Sequence, residues 1–346
     1  MTKKPINSYL FYIAHNYSFE ILRPLQDEII KRGDQVRWFT TGNEVNLENF
    51  SEKEHRLQSI EEVIAYQPMA CFVPGNTIPN FIPGLKVQVF HGLEWKKKGH
   101  FVIRNCFDLY CTHGEATTSR FNALAEEHGY FDVVETGWPK LDRLFSTPAY
   151  NKCPSGKKVI LYAPTFSPSL TSAPALFDQI KQLSAKSEYH WIVKFHPKMD
   201  ATWIKKYQEL TAENLEVIDS SDISALLQCA DIMISDTSSV IGEFALLGKP
   251  VVTLNNNLPG DYLINITQAD QLPQSIEQAF TPNKKLTKAI TEYARQLHPY
   301  QDGQASSRIL AAVDNIMLNG KKATDKMPPN IFRNLKLRLA LNYWHW

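Results

Sequence analysis

Short apolar runs alternate along most of the chain with stretches whose apolar residues recur every three or four positions. Unbroken apolar runs of four to eight residues fit strands buried on both faces, and the 3.6-residue recurrence fits amphipathic helices. On that pattern strands are expected at residues 8–15, 36–40, 71–73, 87–90, 109–112 and 133–136, with helices at 19–31, 60–66 and 117–127. Gly33 and Gly129 stand where two of these helices should stop. Residues 146–156 carry Pro148, Pro154 and Gly156 among polar positions and read as a linker. The alternation then restarts, with strands expected at 159–163, 191–195, 232–235 and 251–254 and helices at 176–183, 204–210, 223–228 and 239–247. Helices dominate residues 274–318.

Strands alternating with helices imply parallel sheets built from βαβ units. The expected fold class is therefore α/β, with two doubly wound, Rossmann-like domains facing each other across a cleft. The expected boundaries are 1–148 for an acceptor-side domain, 149–320 for a nucleotide-binding domain and 321–346 for a basic amphipathic tail. A length of 346 residues accommodates two such domains.

Composition adds exclusions. The formal net charge is +1, so no overall basicity points to nucleic acid. The first residues lack an apolar core and a small-residue cleavage site, and no apolar run approaches the roughly 20 residues that span a bilayer. A cytoplasmic protein, peripheral at most on the inner face of the plasma membrane, is expected. The five cysteines are scattered without a Cys-x-x-Cys pair, so inert thiols are expected rather than a zinc site or disulfide framework. No acidic cluster reads as a metal site, and neither metal nor cofactor is expected.

In open α/β sheets ligands lie beyond the carboxyl ends of the strands. Four strands lead directly into polar residues: His91-Gly92, Ala163-Pro164-Thr165, His196-Pro197, and Ser235-Asp236-Thr237-Ser238-Ser239. The last opens a helix, whose free N–H groups can hold phosphate. Glu243 follows Ser239 by one helical turn, where a carboxylate can hold ribose hydroxyls. Pattern alone leaves open a capped helix with a solvent-facing glutamate. A histidine after a strand can act as a base or as a cation toward phosphate, or serve only to hold a loop. Lys96, Lys97 and Lys98 bring positive charge beside the His91 strand end.

Six stretches in order, HGLEWKKKG (91–99), TGWPKLDRLF (136–145), ILYAPTF (160–166), VKFHP (193–197), SDISALLQCADIMISDTSSVIGEFALLGKPVV (221–252) and YQDGQASSRI (300–309), resemble the CDP-glycerol glycerophosphotransferases of teichoic-acid and capsule synthesis. That family has the GT-B-type architecture. The resemblance implies a transferase that moves glycerol phosphate, or a related polyol phosphate, from a CDP-activated donor to a hydroxyl of a cell-surface glycan or lipid-linked acceptor, releasing CMP. It implies His91 as general base, His196 on the donor phosphates, Ser238 and Ser239 as phosphate ligands, and Lys96 and Thr165 as donor-side residues. Gly137, Pro139 and Asp142 match a G-x-P-x-x-D element expected to shape the turn into the linker. Asp236-Thr237 and Gly242-Glu243 depart from the family's usual Asp-Tyr and Phe-Asp. The chain has no long N-terminal extension, which argues against a large multi-domain polymerase. Two alternatives stand: a GT-B glycosyltransferase using a UDP- or CMP-activated sugar, which Glu243 favours, and a non-catalytic nucleotide-binding protein.

The last residues, 331–346, combine leucines, basic residues and tryptophans. They suit membrane contact through 329–346 or packing onto the body of the protein, as either a helix or a strand.

Overall fold

The structure is a computed structural model that describes residues 6–93, 99–152, 155–219 and 223–344. The chain divides into two compact units, Met1–Arg143 with Leu297–Trp346, and Leu144–Gln296.

The first unit carries β1 (Ser8–Ile13), β2 (Gln35–Thr40), β3 (Arg56–Leu57), β4 (Ala70–Val73), β5 (Leu85–Gln88), β6 (Leu109–Thr112) and β7 (Asp132–Glu135). Among the described residues they pair in parallel in the order β3-β2-β1-β4-β5-β6-β7. Crossovers run through α1 (Ser18–Lys31), α2 (Ile60–Tyr66) and α3 (Glu115–His128). Tyr9, Leu10 and Phe11 of β1 are wholly buried, because a central parallel strand is covered on both faces. The buried indole of Trp38 meets Phe11 edge-on at 4.8 Å and donates its N–H to Gln26 of α1 at 2.7 Å. Winding reverses between β1 and β4, so the loops after these strands diverge and leave room for a ligand.

α4 (Lys140–Ser146) contains the division between the units. The second unit continues with β8 (Lys158–Tyr162), α5 (Ala173–Ser184), β9 (Tyr189–Val193), α6 (Ala201–Gln208), β10 (Leu215–Val217), α7 (Ser224–Cys229), β11 (Ile232–Ser235) and α8 (Val240–Ala245). After these come β12 (Val251–Leu254), β13 (Ile264–Ile266), α9 (Leu272–Phe280) and α10 (Lys284–Leu297). Its parallel sheet has the order β10-β9-β8-β11-β12-β13, with the reversal between β8 and β11. Ile160, Tyr162, Trp191, Tyr207 and Ile234 anchor its core.

The last two helices, α11 (Ala305–Asn319) and α12 (Ile331–Leu341), belong to the first unit. This differs from the expected boundaries: residues 297–320 leave the second domain, and the tail is part of the first unit. Specific contacts explain the return. Asp142 accepts the backbone N–H groups of Ala305 at 2.7 Å and Ser306 at 2.8 Å, so its carboxylate caps the start of α11. Arg308 donates to the Thr136 carbonyl at 2.8 Å, and Arg32 of α1 reaches Asp314 at 3.0 Å. His298 Nε2 accepts the Trp138 N–H at 2.9 Å. Gly137 has φ +79°, and a Cβ there would come within 2.6 Å of that same nitrogen, so only glycine fits. The G-x-P-x-x-D element thus forms the start of a helix and a clasp for the C-terminal segment, not a turn into a linker.

The thiols also differ from expectation. Cys71, Cys106 and Cys111 are free and buried, but Cys229 is disulfide-bonded. Spacing along the chain does not report which cysteines the fold brings together. No helix among the described residues is long and apolar enough to cross a membrane.

Candidate functional site

In the first unit β5 ends at Gln88, two residues short of the expected strand end, and Val89 and Phe90 carry the chain out of the sheet to His91. Phe90 has φ +57°, a left-handed conformation that costs a non-glycine residue energy and therefore needs support. The support is visible. The Trp138 indole N–H donates to the Phe90 carbonyl at 3.3 Å. The Phe90 ring packs on His100 at 5.2 Å, on Phe121 at 5.2 Å and on His113 at 5.3 Å. With Phe90 clamped, His91 stands exposed at the carboxyl end of the sheet.

Three other histidines around this strand end, His113 and His298 buried and His100 half-buried, are kept neutral. Burial first, then the neighbouring His91, lowers the pKa of His100 to about 4. Burial also carries His298 to about 4 and holds His113 well below the ordinary value. His298 Nδ1 faces the Tyr300 carbonyl at 2.7 Å while its Nε2 accepts from Trp138, which assigns the proton to Nδ1. These rings shape the wall; His91 is the one that faces solvent. Lys96 lies outside the described residues.

In the second unit the organising group is Asp236, which the sequence reading named only as part of a motif. Its side chain is fully buried at the β8/β11 reversal. Oδ1 accepts the backbone N–H groups of Thr165 at 2.9 Å and Thr237 at 2.6 Å. Oδ2 accepts the Ser172 N–H at 2.8 Å and its hydroxyl at 3.0 Å. The Ser172 oxygen is in turn 2.9 Å from the Tyr162 hydroxyl. The Asp236 carbonyl accepts the Asn256 side-chain N–H at 2.6 Å. The Asp236 carboxylate therefore ties the loop after β8 to the turn that leads into Ser238–Ser239, and its main-chain carbonyl adds the loop after β12. The signal in the sequence was an acidic residue directly after a buried strand.

Thr165 enters this junction through its backbone, with its side chain half-buried; Ser238 is half-buried and Ser239 exposed. The helix after the serines is shorter than the expected 239–247, spanning only Val240–Ala245, and Ser239 makes no side-chain cap. Its partial positive charge is correspondingly confined to one short turn. Glu243 is buried rather than solvent-facing.

His196 follows β9 on the same sheet edge. Its ring stacks on Phe166 at 4.4 Å, and its Nδ1 accepts the Lys198 backbone N–H at 3.1 Å. A ring that accepts at Nδ1 carries its proton on Nε2. With Nδ1 engaged, Nε2 is the donor position of His196. The structure brings Thr165, Ser238, Ser239 and His196 to the carboxyl edge of one sheet and places His91 at the corresponding edge of the other unit's sheet.

Comparison with known proteins adds identity. Residues 107–315, more than half of the chain, match the model of the CDP-Glycerol:Poly(glycerophosphate) glycerophosphotransferase family. That span begins downstream of His91. A teichoic acid glycerol-phosphate primase of Bacillus spizizenii is 31% identical over 175 residues, covering 46% of this chain and 44% of that protein. The teichoic acid ribitol-phosphate polymerase TarK of Staphylococcus aureus is 26% identical over 215 residues, covering 52% of this chain and 40% of that protein. The chain thus spans less than half the length of these curated relatives. The wall teichoic acid polymerase TagF has the same fold, with a TM-score of 0.63 at 17% identity over 91% of this chain and 90% of that one. So does a UDP-N-acetylglucosamine 2-epimerase, with a TM-score of 0.61 at 14% identity over 94% of this chain and all of that one. Two parallel-sheet Rossmann-like units, the motifs at their carboxyl edges and the match over residues 107–315 make this chain a member of the CDP-glycerol:poly(glycerophosphate) glycerophosphotransferase family, with a GT-B-type fold.

Proposed function

We propose that this protein transfers glycerol phosphate, or a related polyol phosphate, from a CDP-activated donor to a hydroxyl of a glycan or lipid-linked acceptor, with CMP as the leaving group. The observation that carries this reading is the Asp236 junction: in a chain of this family, it assembles Thr165 and the Ser238–Ser239 turn at the winding reversal of the second sheet. The relatives' names, glycerol-phosphate primase and ribitol-phosphate polymerase, support a polyol phosphate as the transferred group.

On this reading the donor pyrophosphate lies against Ser238, Ser239 and His196. His91 takes the proton of the acceptor hydroxyl as its oxygen attacks the phosphorus that carries the polyol; the bond from that phosphorus to the CMP oxygen breaks in line. Phosphoryl transfer depends mostly on positioning and charge stabilisation, and fixed N–H donors supply both. A thermal-shift series with CDP-glycerol, CDP-ribitol, CMP and UDP-sugars tests the donor. A ligand at about 100 times its Kd adds about 2.7 kcal/mol to the native state. Stabilisation by CDP-polyols and CMP is expected; stabilisation by UDP-sugars alone would make the protein a sugar transferase of the same fold.

The C-terminal segment supports contact with an anionic membrane surface. α12 is a helix with two unlike faces. One is pinned to the first unit, with Asn334 accepting the Asn80 N–H at 3.3 Å and the Arg338 guanidinium 4.5 Å from the Phe81 ring. The other exposes Phe332 at 89% and Leu339 at 62%, with Lys336 exposed among them. An apolar stripe with a basic residue suits the interface of anionic lipid. The double variant Phe332→Ser/Leu339→Ser is expected to lower binding to phosphatidylglycerol vesicles at least tenfold in co-sedimentation. Equal sedimentation of variant and parent would remove this contact.

A further inference from the structure

The first unit holds a row of rings next to His91 that the roles above leave unused. Tyr17 lies with its ring centroid 5.6 Å from that of His91, tilted by 36°. His15 stacks on Tyr17 at 5.1 Å and 23°. His15 Nδ1 is 2.9 Å from Glu44 Oε2. These residues come from three loops, after β1, β2 and β5, at the place where the winding of the sheet reverses. The loops are braced in advance: Asn16 Oδ1 accepts the Asn46 backbone N–H at 2.8 Å and the Asn49 side-chain N–H at 3.1 Å. Yet the row stays open, with side-chain exposure of 41% at His15 and 70% at Glu44. Tyr17 remains a phenol, its pKa raised by burial and by the Glu44 charge.

We propose that Tyr17, His15 and Glu44 form an acceptor subsite that seats a neutral, hydroxyl-rich saccharide ring beside His91 and rejects a phosphate-terminated acceptor. The juxtaposition of an aromatic row with a carboxylate carries the argument. Aromatic faces cover the C–H face of a sugar ring, while the phenol and carboxylate accept its hydroxyl protons. The same carboxylate repels a phosphate, so the subsite selects on charge. This deepens the proposed transferase reading and rests on it for the occupant's role as acceptor, though binding itself is measurable without turnover.

The experiment is saturation-transfer NMR on the full chain with methyl glycosides of glucose and N-acetylglucosamine, with glycerol phosphate and with CMP. Saturation is expected to reach the sugar ring protons and not glycerol phosphate. Tyr17→Ala should weaken glycoside binding at least tenfold, Tyr17→Phe less than threefold, and both should leave the CMP signal unchanged, which reports a folded second unit. Glu44→Gln should reduce the discrimination against glycerol phosphate about tenfold. Absence of glycoside binding to the parent protein, or equal binding by Tyr17→Ala, overturns the subsite. Loss of CMP binding in the parent would instead overturn the donor reading, with the glycoside result standing by itself.

Discussion

Alanine in place of His91 is expected to lower turnover about 10²–10⁴-fold, the usual contribution of a general base, with donor affinity unchanged. The expectation follows from position and chemistry together. His91 is the exposed histidine at the end of β5, while the buried His113 and His298 and the half-buried His100 around it are held neutral. The protein also sustains a left-handed Phe90, a strain of about 1–3 kcal/mol, and braces it with the Trp138 indole. Such strain persists only where surrounding structure enforces it. His91→Asn keeps a polar side chain of similar reach without a basic nitrogen, so it should lose as much activity as alanine. The check is kcat at saturating donor alongside donor Kd by calorimetry. Unchanged turnover with normal donor affinity would remove His91 from the reaction.

Asp236→Ala is expected to destabilise the second unit by about 3–5 kcal/mol. The substitution leaves the N–H groups of Thr165, Thr237 and Ser172 without their acceptor, and a buried donor left unpaired costs roughly 1–3 kcal/mol. Water can re-solvate the more open of them, which keeps the total below the sum. Asparagine rescues little, because its NH2 group would point at donors in place of one carboxylate oxygen. Ser172→Ala removes one of the four bonds and also the hydroxyl that partners the buried Tyr162, and should cost about 1–3 kcal/mol. Donor binding should fall with Asp236→Ala even where the variant is folded, since the loop after β8 and the Ser238–Ser239 turn lose their common tie. Urea unfolding and donor titration measure the two effects. A loss under 1 kcal/mol with an unchanged donor Kd would show that the loops hold their positions without this carboxylate.

The central strands were legible because burial on both faces writes an unbroken apolar run: residues 109–112, 232–235 and 251–254 are strands with the expected bounds. The strands that escaped notice, β3, β10 and β13, all lie at sheet edges, where one side has no neighbour and burial is partial. Residues at strand ends were legible as polar positions after apolar runs, and that rule found His91, Thr165, His196, Ser238 and Ser239. It could not rank them. Which nitrogen of His196 carries its proton depends on the backbone N–H of Lys198, and the Phe90 conformation that presents His91 depends on Trp138, 48 residues beyond Phe90. Nor does local pattern assign a helix to a sheet. α11 shows an ordinary amphipathic period, and only the meeting of Asp142 with its first N–H groups returns it to the first unit. By itself the sequence determined the α/β class, the central strands, the family motifs and the polar strand ends, because periodicity and burial act over a few residues. The tertiary structure decided the unit boundary, the Asp236 junction, the neutral histidine wall and the ring row at Tyr17, because each arises from groups far apart in the chain meeting in space.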